Sequence, residues 1–208
     1  MNLGNGAKVV VCQELTKVYA GASRPALDGL NISIRHGEVF GLLGPNGAGK
    51  TTTVSILSTL LRPTKGSVSI CGINAIKYPD QIKKMIGLVA QEIALYPDLT
   101  ARENLSYFGR LHGLKGQLLK HRICESLELV GLIEKADQRI TTYSGGMKRR
   151  ANLAAGILHQ PKILFLDEPT VGIDAQSRNM ILSKLALLNK NGATLIYTTH
   201  YMEEAEIL

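Results

Sequence analysis

The octet Gly44-Pro45-Asn46-Gly47-Ala48-Gly49-Lys50-Thr51 fits Gly-x-x-x-x-Gly-Lys-[Ser/Thr] at every fixed position, and no other stretch narrows the possible folds as far. Its glycines let the backbone curl tightly and turn several N–H groups toward one anion. The run Glu38-Val39-Phe40-Gly41-Leu42-Leu43 reads as a buried strand entering the loop, and Thr52 to Leu61 as a helix leaving it. A helix start offers unpaired N–H groups and the positive end of its dipole, so the loop opens onto an anion site. Lys50 adds a point charge for the β- and γ-phosphates of a triphosphate, and the Thr51 hydroxyl is placed to ligate Mg²⁺. A glycine-rich turn followed by a surface lysine is the plain alternative, and the strand–loop–helix context weighs against it.

A second strand-like run, Lys162-Ile163-Leu164-Phe165-Leu166, ends in Asp167-Glu168-Pro169-Thr170. Unbroken apolar sequence suits a central parallel strand covered on both faces. Ligands in such sheets gather at the carboxyl ends of the strands, where these two carboxylates stand. Asp167 is expected to hold Mg²⁺, and Glu168 to orient and polarise an attacking water. The plain alternative is an acidic pair that caps the next helix.

A second glycine motif follows the pattern Tyr143-Ser144-Gly145-Gly146-Met147-Lys148-Arg149-Arg150 and leads into a helix-forming stretch, Ala151 to His159, ended by Pro161. Ser144 suits an N-cap. Three consecutive cations near a helix start oppose its dipole, by roughly 0.3–1 kcal/mol each at exposed sites. An anion docking there would offset that cost; a solvated basic face is the equal alternative.

At 208 residues the chain has the length of one domain. Strands alternating with helices point to an α/β fold with a mostly parallel sheet. A strand-rich part spans Lys8–Val39, a mainly helical insert spans about 95–160, and the first six residues read as a loose leader. No apolar stretch approaches the ~18 residues that cross a bilayer, and no basic-then-apolar signal opens the chain, so a cytosolic location is expected. Cys12, Cys71 and Cys124 are isolated and read as reduced thiols. The +7 charge suits an anionic membrane surface and ordinary solubility equally. Nucleic acid is not an expected partner, because the cations form no long stripe and aromatics are only 5% of the chain.

Taken in order, these motifs resemble the nucleotide-binding subunit of ATP-binding-cassette (ABC) transporters over nearly the whole length. The ordered set is the phosphate loop at 44–51, Gln91 in Val89-Ala90-Gln91-Glu92, the signature at 143–147, Asp167 and Glu168, Gly172-Ile173-Asp174, and His200. The resemblance implies one ABC ATPase domain over 1–208. It would comprise a P-loop NTPase core with a mostly parallel sheet, an N-terminal antiparallel β part and a helical signature subdomain at about 95–160. ATP and Mg²⁺ would be the cofactors. Gly44, Pro45, Asn46, Gly47, Ala48, Gly49, Lys50, Thr51 and Thr52 would bind nucleotide, with Tyr19 stacked on adenine; an ordinary strand tyrosine is the alternative for Tyr19. Thr51, Gln91 and Asp167 would surround the metal, and Glu168, His200 and Gln91 would serve hydrolysis.

The resemblance also implies a two-chain mechanism. Two subunits would pair head to tail, a homodimer in the first instance. Ser144, Gly145, Gly146 and Met147 of one chain would then meet the ATP of the other, and Asp174 would cross the seam. Gln91 would link the site to separate membrane-spanning permease subunits, which places the chain on the inner face of the cell membrane. Tyr143 and Met147 depart from the family's commonest Leu-Ser-Gly-Gly-Gln. This form and the segment Gln91 to Leu105 resemble export-type subunits for drugs, polysaccharides and lipids. The family's domain continues past the histidine with further strands, whereas this chain stops at Leu208, so a truncated C-terminal end is the expectation. The rival class is a soluble non-transport ABC ATPase acting on ribosomes or DNA, whose relatives typically carry two cassettes or a long coiled-coil insertion.

Overall fold

The computed structural model describes residues 6–207, so the expected leader lies, apart from Gly6, outside the described residues. The chain opens with two long antiparallel strands, β1 (Lys8–Lys17) and β2 (Leu27–Arg35). It continues through β3 (Val39–Leu43) into the phosphate loop and α1 (Lys50–Leu57). The helix is shorter than expected from sequence: Thr59, just beyond its cap at Ser58, sits at φ 67°, a left-handed conformation that cannot continue a helix. Next come β4 (Lys65–Ile70), β5 (Ile73–Asn74), the single-turn α2 (Pro79–Lys83) and β6 (Ile86–Val89).

The helical insert holds α3 (Ala101–Leu111), α4 (Gly116–Leu129) and α5 (Gly145–Ile157), joined through two short 3₁₀ turns. Thr100 and Glu103 form a reciprocal capping box at the start of α3. The chain then returns through β7 (Ile163–Asp167), α6 (Ala175–Lys190), β8 (Thr194–Thr199) and α7 (Met202–Ile207). The expected insert at about 95–160 encloses the helices α3 to α5, and α5 begins at Gly145, directly after the Ser144 cap expected from sequence. Ser144 nucleates it, so the signature glycines lie inside the first helical turn.

Two sheets organise the fold. One is antiparallel in the order β2-β1-β4-β5, the other wholly parallel in the order β3-β8-β7-β6. The antiparallel part therefore extends beyond the Lys8–Val39 stretch, because β4 pairs with β1 after the chain has passed through α1. β7 and β8 are buried at every position, as strands covered on both faces must be. Their side chains divide two cores by the two-residue strand period. Ile163, Phe165 and Ile196 face the antiparallel sheet and α1, whereas Leu164, Leu166, Leu195 and Tyr197 face the helical insert. The parallel sheet is thus a central layer whose strand ends are held rigidly from both sides. No helix among the described residues is long and apolar enough to cross a membrane.

Candidate functional site

The register of the parallel sheet brings three strand ends together. Leu43 lies beside Thr199, and Asp167 lies beside Thr198. The loop after β3, the carboxylates ending β7 and the histidine after β8 therefore share one rim, at the carboxyl side of the sheet.

In the loop, Ala48 donates its N–H to the Pro45 carbonyl at 3.2 Å, a tight turn that leaves Asn46, Gly47 and Ala48 exposed. Gly47 and Gly49 take φ of 84° and 85°, which L side chains rarely adopt. A Cβ on Gly49 would also lie 2.6 Å from the Ala26 carbonyl oxygen, so the loop is pressed against the start of β2. Lys50 is buried; its ammonium donates to the carbonyls of Gly44 at 2.7 Å and Pro45 at 3.1 Å, and stands 3.4 Å from Glu168 Oε1. The other carboxylate oxygen of Glu168 lies 3.6 Å from His200 Nδ1. Glu168 thus sits between a lysine and a histidine contributed by separate strand ends.

Asp167 accepts from Thr51 Oγ1 at 3.3 Å and from Thr198 Oγ1 at 2.7 Å, both at Oδ1. Thr51 and Asp167 present hard oxygen donors side by side, which suits a small divalent cation. Among the described residues no group of three or more acidic, histidine or cysteine side chains could hold a metal unaided, so such a cation would share its shell with the ligand it accompanies. Thr198 belongs to none of the motifs read from the sequence. It also accepts the Glu168 N–H, at its hydroxyl (3.0 Å) and its carbonyl (3.2 Å). That grip matters because Glu168 holds φ 46°, a conformation that costs on the order of 1–3 kcal/mol and persists only where the surroundings over-determine it. The signal available was a pair of hydroxyls, Thr198 and Thr199, closing an otherwise apolar strand.

Tyr19 is exposed beside the helix start, its hydroxyl 3.2 Å from Thr52 Oγ1 and its ring 5.4 Å from Lys17 Nζ. Gln91 follows β6 by two residues; its side chain is exposed and makes no hydrogen bond to Thr51 or Asp167, while its carbonyl accepts from the Arg149 guanidinium.

The second glycine motif occupies a different neighbourhood. Ser144 caps α5 by accepting from the Met147 N–H at 3.2 Å, and Met147 packs half-buried on the core of the helical insert. Gly145 is exposed, with the Gly172 carbonyl 3.9 Å from where a Cβ would stand, whereas Gly146 is buried against Ser177. Asp174 is exposed and caps α6, accepting the Ser177 N–H and hydroxyl, both at 2.8 Å. Those bonds, the backbone one foremost, hold its carboxyl below the usual range. Two of the three cations that seemed free for an anion are engaged within the chain. Arg149 reaches the Gln91 carbonyl, and Arg150 donates to the carbonyls of Val130 at 3.0 Å and Gly131 at 3.3 Å. Those bonds explain why cations are tolerated at this helix start: their heads turn back onto carbonyls of neighbouring segments.

Comparison with known proteins agrees with this geometry. The ABC transporter family model matches residues 27–171. The linearmycin resistance ATP-binding protein LnrL of Bacillus subtilis is 50% identical over 196 residues, covering 94% of this chain and 62% of that protein. The doxorubicin resistance ATP-binding protein DrrA of Mycobacterium tuberculosis is 43% identical over 204 residues, covering 98% and 62%. The Nod factor export ATP-binding protein I of Ralstonia nicotianae is 43% identical over 206 residues, covering 99% and 64%. The chain therefore spans less than two thirds of the length of these curated relatives. A solved dimeric ATP-binding cassette in a post-hydrolysis state, bound to ADP and Pi, superposes with a TM-score of 0.87 at 30% identity, covering 95% of this chain and 90% of that one. With its phosphate loop, paired carboxylates and histidine on one rim and a separate signature helix, the chain belongs to the ABC transporter family.

Proposed function

We propose that the chain binds ATP with Mg²⁺ and hydrolyses it as one half of a head-to-tail pair, and that this drives export through separate membrane-spanning subunits. The observation that carries the reading is the convergence of Lys50, Thr51, Asp167, Glu168 and His200 at adjoining strand ends. Lys50 and the loop N–H groups would cradle the phosphates, with Thr51 and Asp167 on the cation. Bound Mg²⁺ would neutralise charge developing on the phosphates. Glu168, held in place by Thr198, would accept the proton of the attacking water, and His200 would fix that water and the γ-phosphate. Tyr19 would stack on adenine and Gln91 would report the site to the membrane partner.

Ser144 and Gly145 are exposed at the start of α5, and the atom nearest a Cβ on Gly145 is the Gly172 carbonyl, which favours the service of this helix start to the nucleotide of a second copy. Export is favoured by the resistance and export proteins named above, and a location at the inner face of the membrane follows from it. The domain is proposed to run through the whole of 1–208, with the signature subdomain near 95–160. Light scattering on Glu168→Gln tests the pairing: the variant should bind MgATP without turnover and double its mass. A variant that binds MgATP yet stays monomeric would refute the head-to-tail pair for this chain.

A further inference from the structure

Glu204 is the most enclosed carboxylate outside the rim, at 1% exposure on α7, and four groups converge on it. Thr170 Oγ1 donates to Oε1 at 2.7 Å, while Tyr197 OH at 2.8 Å and Thr199 Oγ1 at 2.7 Å donate to Oε2. Arg178 Nε stands 3.5 Å from Oε1. The Thr170 and Tyr197 hydroxyls also lie 3.2 Å apart, so the cluster is closed on itself. Each of the three hydroxyls has one proton, and the carboxylate can accept all three; Thr199 in turn accepts the Tyr201 N–H at 3.0 Å. Burial and the neighbouring carboxylate push the Tyr197 phenol far above its ordinary range, so it remains a donor.

The partners come from the segments that carry the site. Thr170 lies two residues beyond Glu168. Arg178 is one turn into α6, its N–H on the Asp174 carbonyl at 3.0 Å. Tyr197 and Thr199 flank Thr198, the anchor of Asp167 and Glu168, and Thr199 directly precedes His200. We infer that Glu204 is a positioning residue: one buried carboxylate that locks the Glu168, Asp174 and His200 segments into a single register. This deepens the proposed ATPase reading and rests on it for its effect on turnover. It also explains why a six-residue helix with three acidic residues folds back onto the sheet at all, since Glu204 is the side chain that turns inward.

The test is Glu204→Gln, which keeps shape and removes the charge, with Arg178→Met as a second variant on a half-exposed partner. MgATP turnover should fall about ten- to a hundredfold in kcat, with KM within about twofold, as expected when a reacting group is displaced rather than a binding group lost. The double variant should lose less than the product of the two single losses, because both remove the Arg178–Glu204 contact. Independently of turnover, the His200 ring signal, assigned with His200→Ala, should move in the NMR spectrum of either variant while those of His36 and His121 stay. An unmoved His200 signal, or an unchanged kcat, overturns the inference. If the unsubstituted chain fails to hydrolyse MgATP, the ATPase reading falls, and the His200 signal alone still decides the positioning role. If Glu204→Gln does not fold, Arg178→Met decides it by the same readouts.

Discussion

The two signature glycines do different physical work, and alanine separates them. At Gly146, inside the first turn of α5, an added Cβ would fall 2.1 Å from Ser177 Oγ, 2.8 Å from Ser177 Cβ and 3.3 Å from Asp174 Oδ2. Ser177 cannot swing away freely, because its hydroxyl donates to Asp174 and its Cβ belongs to α6. The helices must part instead. Forcing a methyl into a packed contact costs about 1–3 kcal/mol. Replacing a helical glycine by alanine returns up to about 1 kcal/mol. The net is a destabilisation of about 1–2 kcal/mol, or roughly 2–8 °C in Tm for a chain of this size. At Gly145 the nearest atom is 3.9 Å away, so Gly145→Ala should leave stability within about 0.5 kcal/mol. Chemical denaturation and light scattering of both variants make the test. Gly146→Ala should unfold early, while Gly145→Ala should fold normally and lose MgATP-driven pairing. A Gly146→Ala protein as stable as the unsubstituted chain would refute the steric reasoning.

Two further outcomes follow from individual side chains. Tyr19→Ala should weaken MgATP binding by about 1 kcal/mol while Tyr19→Phe, which loses only the contact to Thr52, stays near normal; calorimetry giving equal affinities for all three would make Tyr19 a structural residue. His159 is pushed down to about 4 by burial and then by the stacked His112 ring, 3.7 Å away. Its folded pKa lies below the unfolded value, so the unfolded chain takes up the proton first. Stability is therefore fully present above about 6.5 and is lost as pH falls toward 4, by about 3 kcal/mol at most. In urea unfolding His159→Gln should show a shallower acid loss than the unsubstituted chain, and parallel curves would refute the assignment.

What the sequence displayed was what local pattern can carry. The phosphate loop, the strands at 39–43 and 163–167 and the Ser144 cap all rest on residues adjacent in the chain. What it hid depended on contacts across the fold. β4 joins the antiparallel sheet only because it meets β1 on the far side of α1, and no neighbouring residue announces that pairing. The cations Arg149 and Arg150 looked free because their carbonyl partners lie 58 and 20 residues away. Nothing local marks Thr198, Thr170 or Glu204 either: a threonine in an apolar strand or a glutamate in an acidic helix has no visible purpose until its partners are brought to it.

β8 shows how much of the site depends on one strand. Successive residues of a strand point to opposite sides, so Thr198 is directed to Asp167 and the Glu168 backbone while Tyr197 and Thr199 are directed to Glu204. The strand thereby fixes the carboxylates on one face and the fold of α7 on the other. His200, the next residue, inherits both constraints, and its approach to Glu168 within 3.6 Å is their joint product. A histidine on an unrestrained loop would lose several kcal/mol of ordering entropy each time it was brought to that distance. Here the ordering is already done by buried hydroxyls, and this is why the strand carries threonines where packing alone would favour valine or isoleucine.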